Sequence, residues 1–445
     1  MHPIKFRFPK LFRVSLLLFF VGGFPMESMA EIPEPVFDFD GNPVTLQKAI
    51  DLTLEHNPVL NASRWERRSM DGRVIQAGLL PNPEIEAETE NFAGSGVFHG
   101  FNAAETKVQL SQLIELGGKR AKRSTYAALG RDLAQWDYEV ILADVVARAT
   151  LAFMNVLFTQ ERLTLMRKLL NLANEVLQTT SERVKAGKIS PMEKIKAEVD
   201  RSASRIDVKH AQFDLKVARR KLSGAWGGTT PTFSEARGRL GNLLPVPSLE
   251  ALQGMVSRNP DVGRWAVAIE QHRAGVDLEQ ARGIPDLTVS LGAKHHNEVN
   301  DTAFVMGVSI PIPIFDTNQG ATLEARDRLS KSKEESRAVW LRVVNNLAET
   351  YQRLSRAHME ATDLAEHVLP GAEAAFKASE EGFRHGKFDY LDMLDAQRTL
   401  VSMNLRYINA LFSYQQARTR VERLIGLDMG VLVSAVENSK KGVAP

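Results

Sequence analysis

Hydrophobic and polar residues alternate with a period of two in four short stretches of this chain, and recur at helical spacing through most of the remainder. Glu84 to Phe92 places Ile85, Ala87 and Thr89 on one face and Glu86, Glu88 and Glu90 on the other. Glu105 to Leu113 alternates too, with Val108 and Leu110 sharing a face. Farther on, Leu287, Val289 and Leu291 oppose Thr288, Ser290 and Gly292, and Phe304, Met306, Val308 and Ile310 share a face. Such patterning predicts strands, here over about 84–92, 105–113, 286–294 and 303–311. Ala93-Gly94-Ser95-Gly96 and the polar stretch Asn297 to Asp301 carry loop chemistry between the members of each pair, so two hairpins are expected.

The helical patterns are long. From about Gly118 to Ala186 there is no proline, and Leu142, Val145, Ala149, Ala152, Phe153 and Val156 fall at helical spacing. Roughly 70 residues at 1.5 Å each span about 100 Å. A similar pattern runs from Gln319 to His385, where Pro370 should kink the helix or cost it a hydrogen bond. Shorter helices are predicted over about 45–79, 191–225, 248–283 and 389–425, with Thr45 as N-cap of the first and Pro81 and Pro83 ending it. One helix from before each hairpin and one from after it together match a long helix, as if two were stacked end to end.

The pattern is also written twice. AIDLTLEHNPVLNAS (Ala49 to Ser63) returns as LQGMVSRNPDVGRWA (Leu252 to Ala266). Each copy passes through a Gln-Ala pair and a proline (Gln76, Ala77, Pro81; Gln280, Ala281, Pro285) into its hairpin. Each long helix stops at a Gly-Lys pair, Gly187-Lys188 or Gly386-Lys387. A repeat of this length is a duplicated structural half and not a solenoid unit. The expected organisation is a first repeat over 45–228, a linker over 229–247, a second repeat over 248–427 and a C-terminal tail over 428–445. An extended arm, 31–44, precedes them and contains Pro33, Pro35 and Pro43. Four strands of about nine residues suit tilted membrane strands but cannot close a barrel, because the smallest membrane barrels have eight. Their free edges must therefore meet other subunits. Three copies give twelve strands. The fold class expected is mainly α with a small β-barrel portion: a shared barrel joined to a long helical tube.

Composition narrows the setting. With 44% hydrophobic and 25% charged residues the chain is an ordinary folded one. Residues 1–30 read as a secretory signal, with Lys5, Arg7, Lys10 and Arg13 before an apolar core from Val14 to Gly23 and a Ser28-Met29-Ala30 cleavage site. Its removal takes away those four bases and Glu27, leaving 52 Lys+Arg against 53 Asp+Glu. A near-neutral chain is a poor partner for nucleic acid. The absence of cysteine excludes both a disulfide framework and a lipoprotein anchor. No apolar run of 18 or more follows the signal, so membrane contact is expected through a β-barrel or at the surface.

These pieces together resemble the TolC family of outer-membrane efflux factors across about 45–427. The Asn57-Pro58 and Asn259-Pro260 helices are similar to the family's paired N-P repeats, and VSIPIPIFDTNQG (308–320) to its strand-to-helix passage. RVKAGKISPMEKIKAEV (183–199) and GFRHGKFDYLDMLDAQRTL (382–400) resemble its periplasmic helix-turn-helix tips, and ELGGKR (115–120) is most like the cobalt-zinc-cadmium-type members. The resemblance implies a homotrimer in the outer membrane of a Gram-negative bacterium, its barrel in lipid and its tube in the periplasm. The tips would dock on a periplasmic membrane-fusion adaptor linked to an inner-membrane pump, RND type foremost. Such a duct needs no cofactor and performs no covalent chemistry. The exported class expected is divalent heavy-metal cations; a multidrug or type I secretion duct has the same fold, and an elongated periplasmic coiled-coil scaffold is the reading of another class.

Candidate residues follow from that placement. Asp392 and Asp395 lie on one helix face, at the family's narrow entrance, where three copies would form carboxylate rings that concentrate cations. Glu193 matches the acidic position of the first tip. Phe383 and Phe388 fall where better-known members can carry a tyrosine and an arginine, and neither can supply a hydroxyl or guanidinium; closure there should rest on aromatic packing. Gly187 and Gly386 should take the left-handed backbone at the helix ends, with Lys188 and Lys387 beside the helix dipoles and available to an adaptor. Glu86, Glu88 and Glu90 should line the barrel lumen and bias it toward cations. Gly117-Gly118-Lys119-Arg120 lacks the phosphate-loop frame and reads as a bend from strand into helix. Pro311 and Pro313 end strand pairing in the second half. His295, His296 and Glu298, with His99 in the corresponding loop, are donors of the type that bind divalent metal, but sequence-local sets like this are usually just polar loop, and no metal site is expected. No nucleophile–base pair or nucleotide fingerprint points to an enzyme.

Overall fold

The computed structural model describes residues 41–433. The predicted signal, residues 31–40 of the arm and residues 434–445 of the tail lie outside them. Thr45 caps α1 (Leu46–His56) by accepting the Lys48 N–H. The single helix expected over 45–79 is two, because Pro58 pushes Asn57 into extended backbone and starts a new helix, α2 (Pro58–Gly78). Asn57 turns the break into a joint. Its Oδ1 accepts from the Val59 and Leu60 N–H groups, while its Nδ2 donates to the Ala225 carbonyl at 2.7 Å. Ala225 is the last residue of α4 (Pro191–Ala225). One amide side chain thus satisfies both the open N-terminus of α2 and the open C-terminus of α4.

The second half repeats the joint. α5 (Leu249–Gln253) and a 3₁₀ turn precede α6 (Pro260–Arg282), so the helix expected over 248–283 is likewise interrupted. Asn259 Oδ1 accepts from the Asp261 N–H, and its Nδ2 donates to Leu424 at 2.9 Å, near the end of α9 (Tyr390–Ile425). The long helix of the first half, α3 (Lys119–Lys185), is continuous. Its counterpart is divided into α7 (Gln319–Asp363), a π-helical turn over Leu364–Val368 and α8 (Leu369–Arg384). The Leu369 N–H reaches five residues back to the Leu364 carbonyl. This wider turn comes just ahead of Pro370, which has no N–H to continue the ladder. α2 and α4 pack on α3, and α6 and α9 each lie against both α3 and α7.

Three apolar clusters hold the helices. One joins Phe153, Val156, Leu222 and Trp226, a second Leu347, Leu354, Tyr414 and Val421, and a third lies at the tips. Met429 and Leu432 of the tail fold back into the second cluster. Contrary to the expectation that no such run follows the signal, α3 contains an 18-residue window of mean hydropathy 1.8, enough by length and composition to cross a membrane. Val145, Ala149 and Phe153 of that helix are buried in the protein. A two-residue parallel pair, β1 (Val44–Thr45) with β4 (Ala236–Arg237), ties the arm to the linker.

The remaining strands form one antiparallel sheet. β2 (Glu84–Glu90), β3 (Glu105–Ile114), β5 (Leu287–His296) and β6 (Asp301–Ser309) lie in that order, and their bounds fall within three residues of those expected. β3 pairs with β5 over ten residues, which joins the two hairpins across the duplication. β2 and β6 are the outer strands of this sheet.

Candidate functional site

Two regions gather the candidate residues: the helix-turn-helix tips and the two faces of the sheet. Both tips close in the same way. Gly187 adopts φ +68 and Gly386 φ +76. Gly187 N–H donates to Val184 O and Lys188 N–H to Arg183 O; Gly386 N–H donates to Phe383 O and Lys387 N–H to Gly382 O. This doubled bond pattern is the Schellman stop, which a left-handed residue permits. The Lys188 and Lys387 side chains are exposed. Ser190 then caps α4, and Asp389 caps α9 in a reciprocal box with Asp392.

The tips are fastened to each other. Arg183 donates to the Phe383 carbonyl at 2.7 Å, and its guanidinium lies over the Phe383 ring at 4.5 Å. Phe383 is 2% exposed and meets Tyr390 edge-on, within the cluster formed by Val176, Ala197, Met393 and Leu394. It is therefore a packing residue inside the tip. Phe388 is 47% exposed and lies against Gly382, where a Cβ would come within 2.2 Å of its ring. With Leu391, Asp392, Asp395 and Thr399 it lines an open groove between α8 and α9.

The two aspartates differ in duty. Asp392 accepts from the Asp389 N–H and so completes the helix cap; Asp395, one turn on, is exposed. Arg398 does not neutralise either of them, because it pairs with Asp200 at 3.6 Å. Glu193 follows the Ser190 cap at the capping-box position, and its Oε2 is buried with no hydrogen-bond partner. Tyr390 donates to Asp200 at 2.9 Å. Burial pushes the Tyr390 phenol well above the ordinary tyrosine range, and the bond to Asp200 and the charge of that carboxylate push the same way. Tyr390, Asp200 and Arg183 were not singled out by sequence. Part of the signal was there: Asp200 stands seven residues after Glu193, two helical turns along the same face of α4, and Tyr390 directly follows the Asp389 cap as the first residue of α9.

The sheet has two unlike faces. Ile85, Val108, Leu110, Leu291, Phe304, Met306 and Val308 share one and are at least half exposed, Phe304 to 90%. Glu86, Glu88 and Glu90 stand on the other. Gln109 donates to Glu86, Lys107 pairs with Glu88 at 2.7 Å, and Lys294 contacts both Glu90 and Glu105. The glutamates are therefore largely compensated. His295 and His296 lie at the end of β5 and not in the loop expected. As neighbours on a strand they point to opposite faces: His295 reaches Thr302, and His296 reaches Glu105 at 3.2 Å. They cannot share an ion with each other, and no set of three or more metal-type ligands exists among the described residues.

ELGGKR is an elbow. Glu115 holds Arg123 in a two-pronged pair, and Arg123 also donates to the Ala77 and Leu79 carbonyls. Lys119 crosses to Asp286, which precedes β5, at 2.7 Å. Gly117 has φ +68, and a Cβ there would lie 2.6 Å from Ile284. The motif fixes the strand-to-helix passage of one half against the other.

With this geometry in view, the likeness to known proteins is specific. The model of the family described as outer membrane efflux protein matches residues 49–228 and 251–427. The chain is 38% identical over 393 residues to the cobalt-zinc-cadmium resistance protein CzcC of Cupriavidus metallidurans, covering 88% of this chain and 92% of that one. Among solved structures, CusC, studied for conformational changes accompanying folding and transmembrane channel formation, superposes with a TM-score of 0.73 at 16% identity, over 88% of this chain and 95% of that one. The outer membrane protein VceC of Vibrio cholerae superposes with a TM-score of 0.72 at 15% identity, over 86% and 96%.

Proposed function

The chain belongs to the outer membrane efflux protein family, and from that premise we propose that it is the exit duct of a tripartite efflux system for divalent heavy-metal cations. The single observation that carries the duct is the sheet: one face apolar and exposed, the other polar, with two outer strands. In water such a face is an aggregation liability. In a bilayer it is the lipid-facing band of a barrel. Three chains edge to edge supply twelve strands, enough to close, and a scaffold free in the periplasm would leave this face uncovered. The helices call for the same assembly. Met192, Val199, Ile206 and Phe213 recur at seven-residue intervals along α4, all more than half exposed, and a neighbouring subunit's helix would bury them.

The metal reading rests on the 38% identity to a cobalt-zinc-cadmium resistance protein. In it the tips reach the adaptor through Gly187-Lys188 and Gly386-Lys387, and the adaptor joins an inner-membrane pump of RND type. Asp392 and Asp395, repeated three times, form the cation-gathering ring, with Glu193 beside it and Phe388 presenting an aromatic surface to the groove. Membrane fractionation and mild electrophoresis test the assembly: heat-modifiable trimers in the outer-membrane fraction are the expected result, and a soluble periplasmic monomer would sink the proposal.

A further inference from the structure

A duct for divalent cations faces a conflict at its polar lining. Carboxylates draw such ions in, but several converging on one point hold them, and conduction needs sites weak enough to leave. The pairing register places Glu90 opposite Glu105 and Glu105 opposite His296. Directly opposed like charges are unfavourable in a sheet, with Cβ atoms about 4.5–5.5 Å apart. Glu90 and Glu105 converge on one point, the Lys294 ammonium, where a free divalent cation would meet two carboxylates; among the described residues no three-ligand metal site is completed there. Lys294 Nζ contacts Glu105 and lies 3.5 Å from Glu90, while Lys107, opposite Lys294, holds Glu88 at 2.7 Å.

We propose that Lys107 and Lys294 determine what the barrel retains: their ammonium groups are tethered cations that occupy the places a passing divalent ion would take, so it crosses without capture. The inference rests on reading the sheet as one third of a barrel with this face inward. An ammonium suits the task, since it only donates and cannot become a ligand while charged. Its flexible stem also lets it serve two carboxylates on different strands. The periplasmic end is built differently: among the described residues neither Asp392 nor Asp395 has a lysine or arginine at ion-pair distance. The entrance attracts, and the barrel lets go.

The test is zinc block of the potassium current through purified trimers in planar bilayers. With Lys107→Gln and Lys294→Gln together, zinc chloride should block at a concentration lower by about tenfold or more, the scale on which charge around ligands changes metal affinity. Adding Glu88→Gln, Glu90→Gln and Glu105→Gln to that variant should restore the wild-type response, and Lys294→Arg should never lose it. An unchanged zinc response in a conducting Gln variant overturns the proposal. So does a Gln variant that forms no trimers while Lys294→Arg forms them, because the lysines would then serve assembly. A wild-type protein with no conductance defeats the channel reading itself, which is a separate result.

Discussion

At the scale of single residues, the tip is held by contacts that cross between the two halves of the duplication. Tyr390 on α9 bonds Asp200 on α4, and Arg183 on α3 caps the Phe383 carbonyl on α8. Tyr390→Phe keeps the ring but leaves Asp200 without that donor. The expected cost is roughly 1–2 kcal/mol, read as faster proteolysis at the tips with the rest of the chain unaffected; an unchanged digestion pattern would show the bond idle. The pH dependence has a definite sign. A phenol whose folded pKa is raised contributes stability that is complete below the ordinary tyrosine value of about 10 and is lost as pH rises above it. Tyr390 should therefore resist ionisation well beyond the ordinary tyrosine range in an ultraviolet titration, with the tips loosening as it ionises, and Tyr390→Phe should remove that late step. Asp395→Asn tests the entrance ring more cleanly than any change at Asp392, which also completes a helix cap. Cation selectivity in bilayers should fall in Asp395→Asn while trimer stability holds. Unchanged selectivity removes Asp395 from the ring.

At the scale of elements, the duplication works through two asparagines. Pro58 and Pro260 end one helix and start another, and Asn57 and Asn259 bridge each break to the end of a helix more than 160 residues away. Asn57→Ala removes both the cap and the bridge. Roughly 1–2 kcal/mol should be lost, seen as a lower denaturation midpoint by far-ultraviolet circular dichroism; Asn57→Asp should recover the cap and not the bridge. A midpoint equal to wild type in Asn57→Ala would mean the helices are aligned by packing alone. Much of this was legible in the sequence. Period two located all four strands because one face of the sheet is apolar and the other charged. The N-P pairs marked the joints, but their partners Ala225 and Leu424 were invisible, since a carbonyl acceptor carries no residue signature. Pro370 announced an interruption, though not that a π turn before it would absorb the defect. The lysine partners of Glu88 and Glu90 were also out of reach, because they depend on register between strands and, for Lys294, on contact between halves separated by 204 residues.

At the scale of the whole molecule, a single chain exposes an apolar sheet face, two outer strands and an apolar stripe along α4. In the proposed duct, lipid covers the first and neighbouring subunits the others. Family membership places that assembly in the outer membrane with a long periplasmic helical part. On the proposed reading, the charges divide the route into a periplasmic end that gathers cations at Asp392 and Asp395 and a barrel in which Lys107 and Lys294 mask the glutamates. The measurement that bears most directly on the account is metal tolerance in a strain from which the gene is deleted, with and without a plasmid copy. The account predicts lowered tolerance to zinc, cobalt or cadmium, restored by the plasmid. Unchanged tolerance to these metals together with lost tolerance to common drugs, also restored by the plasmid, would contradict it.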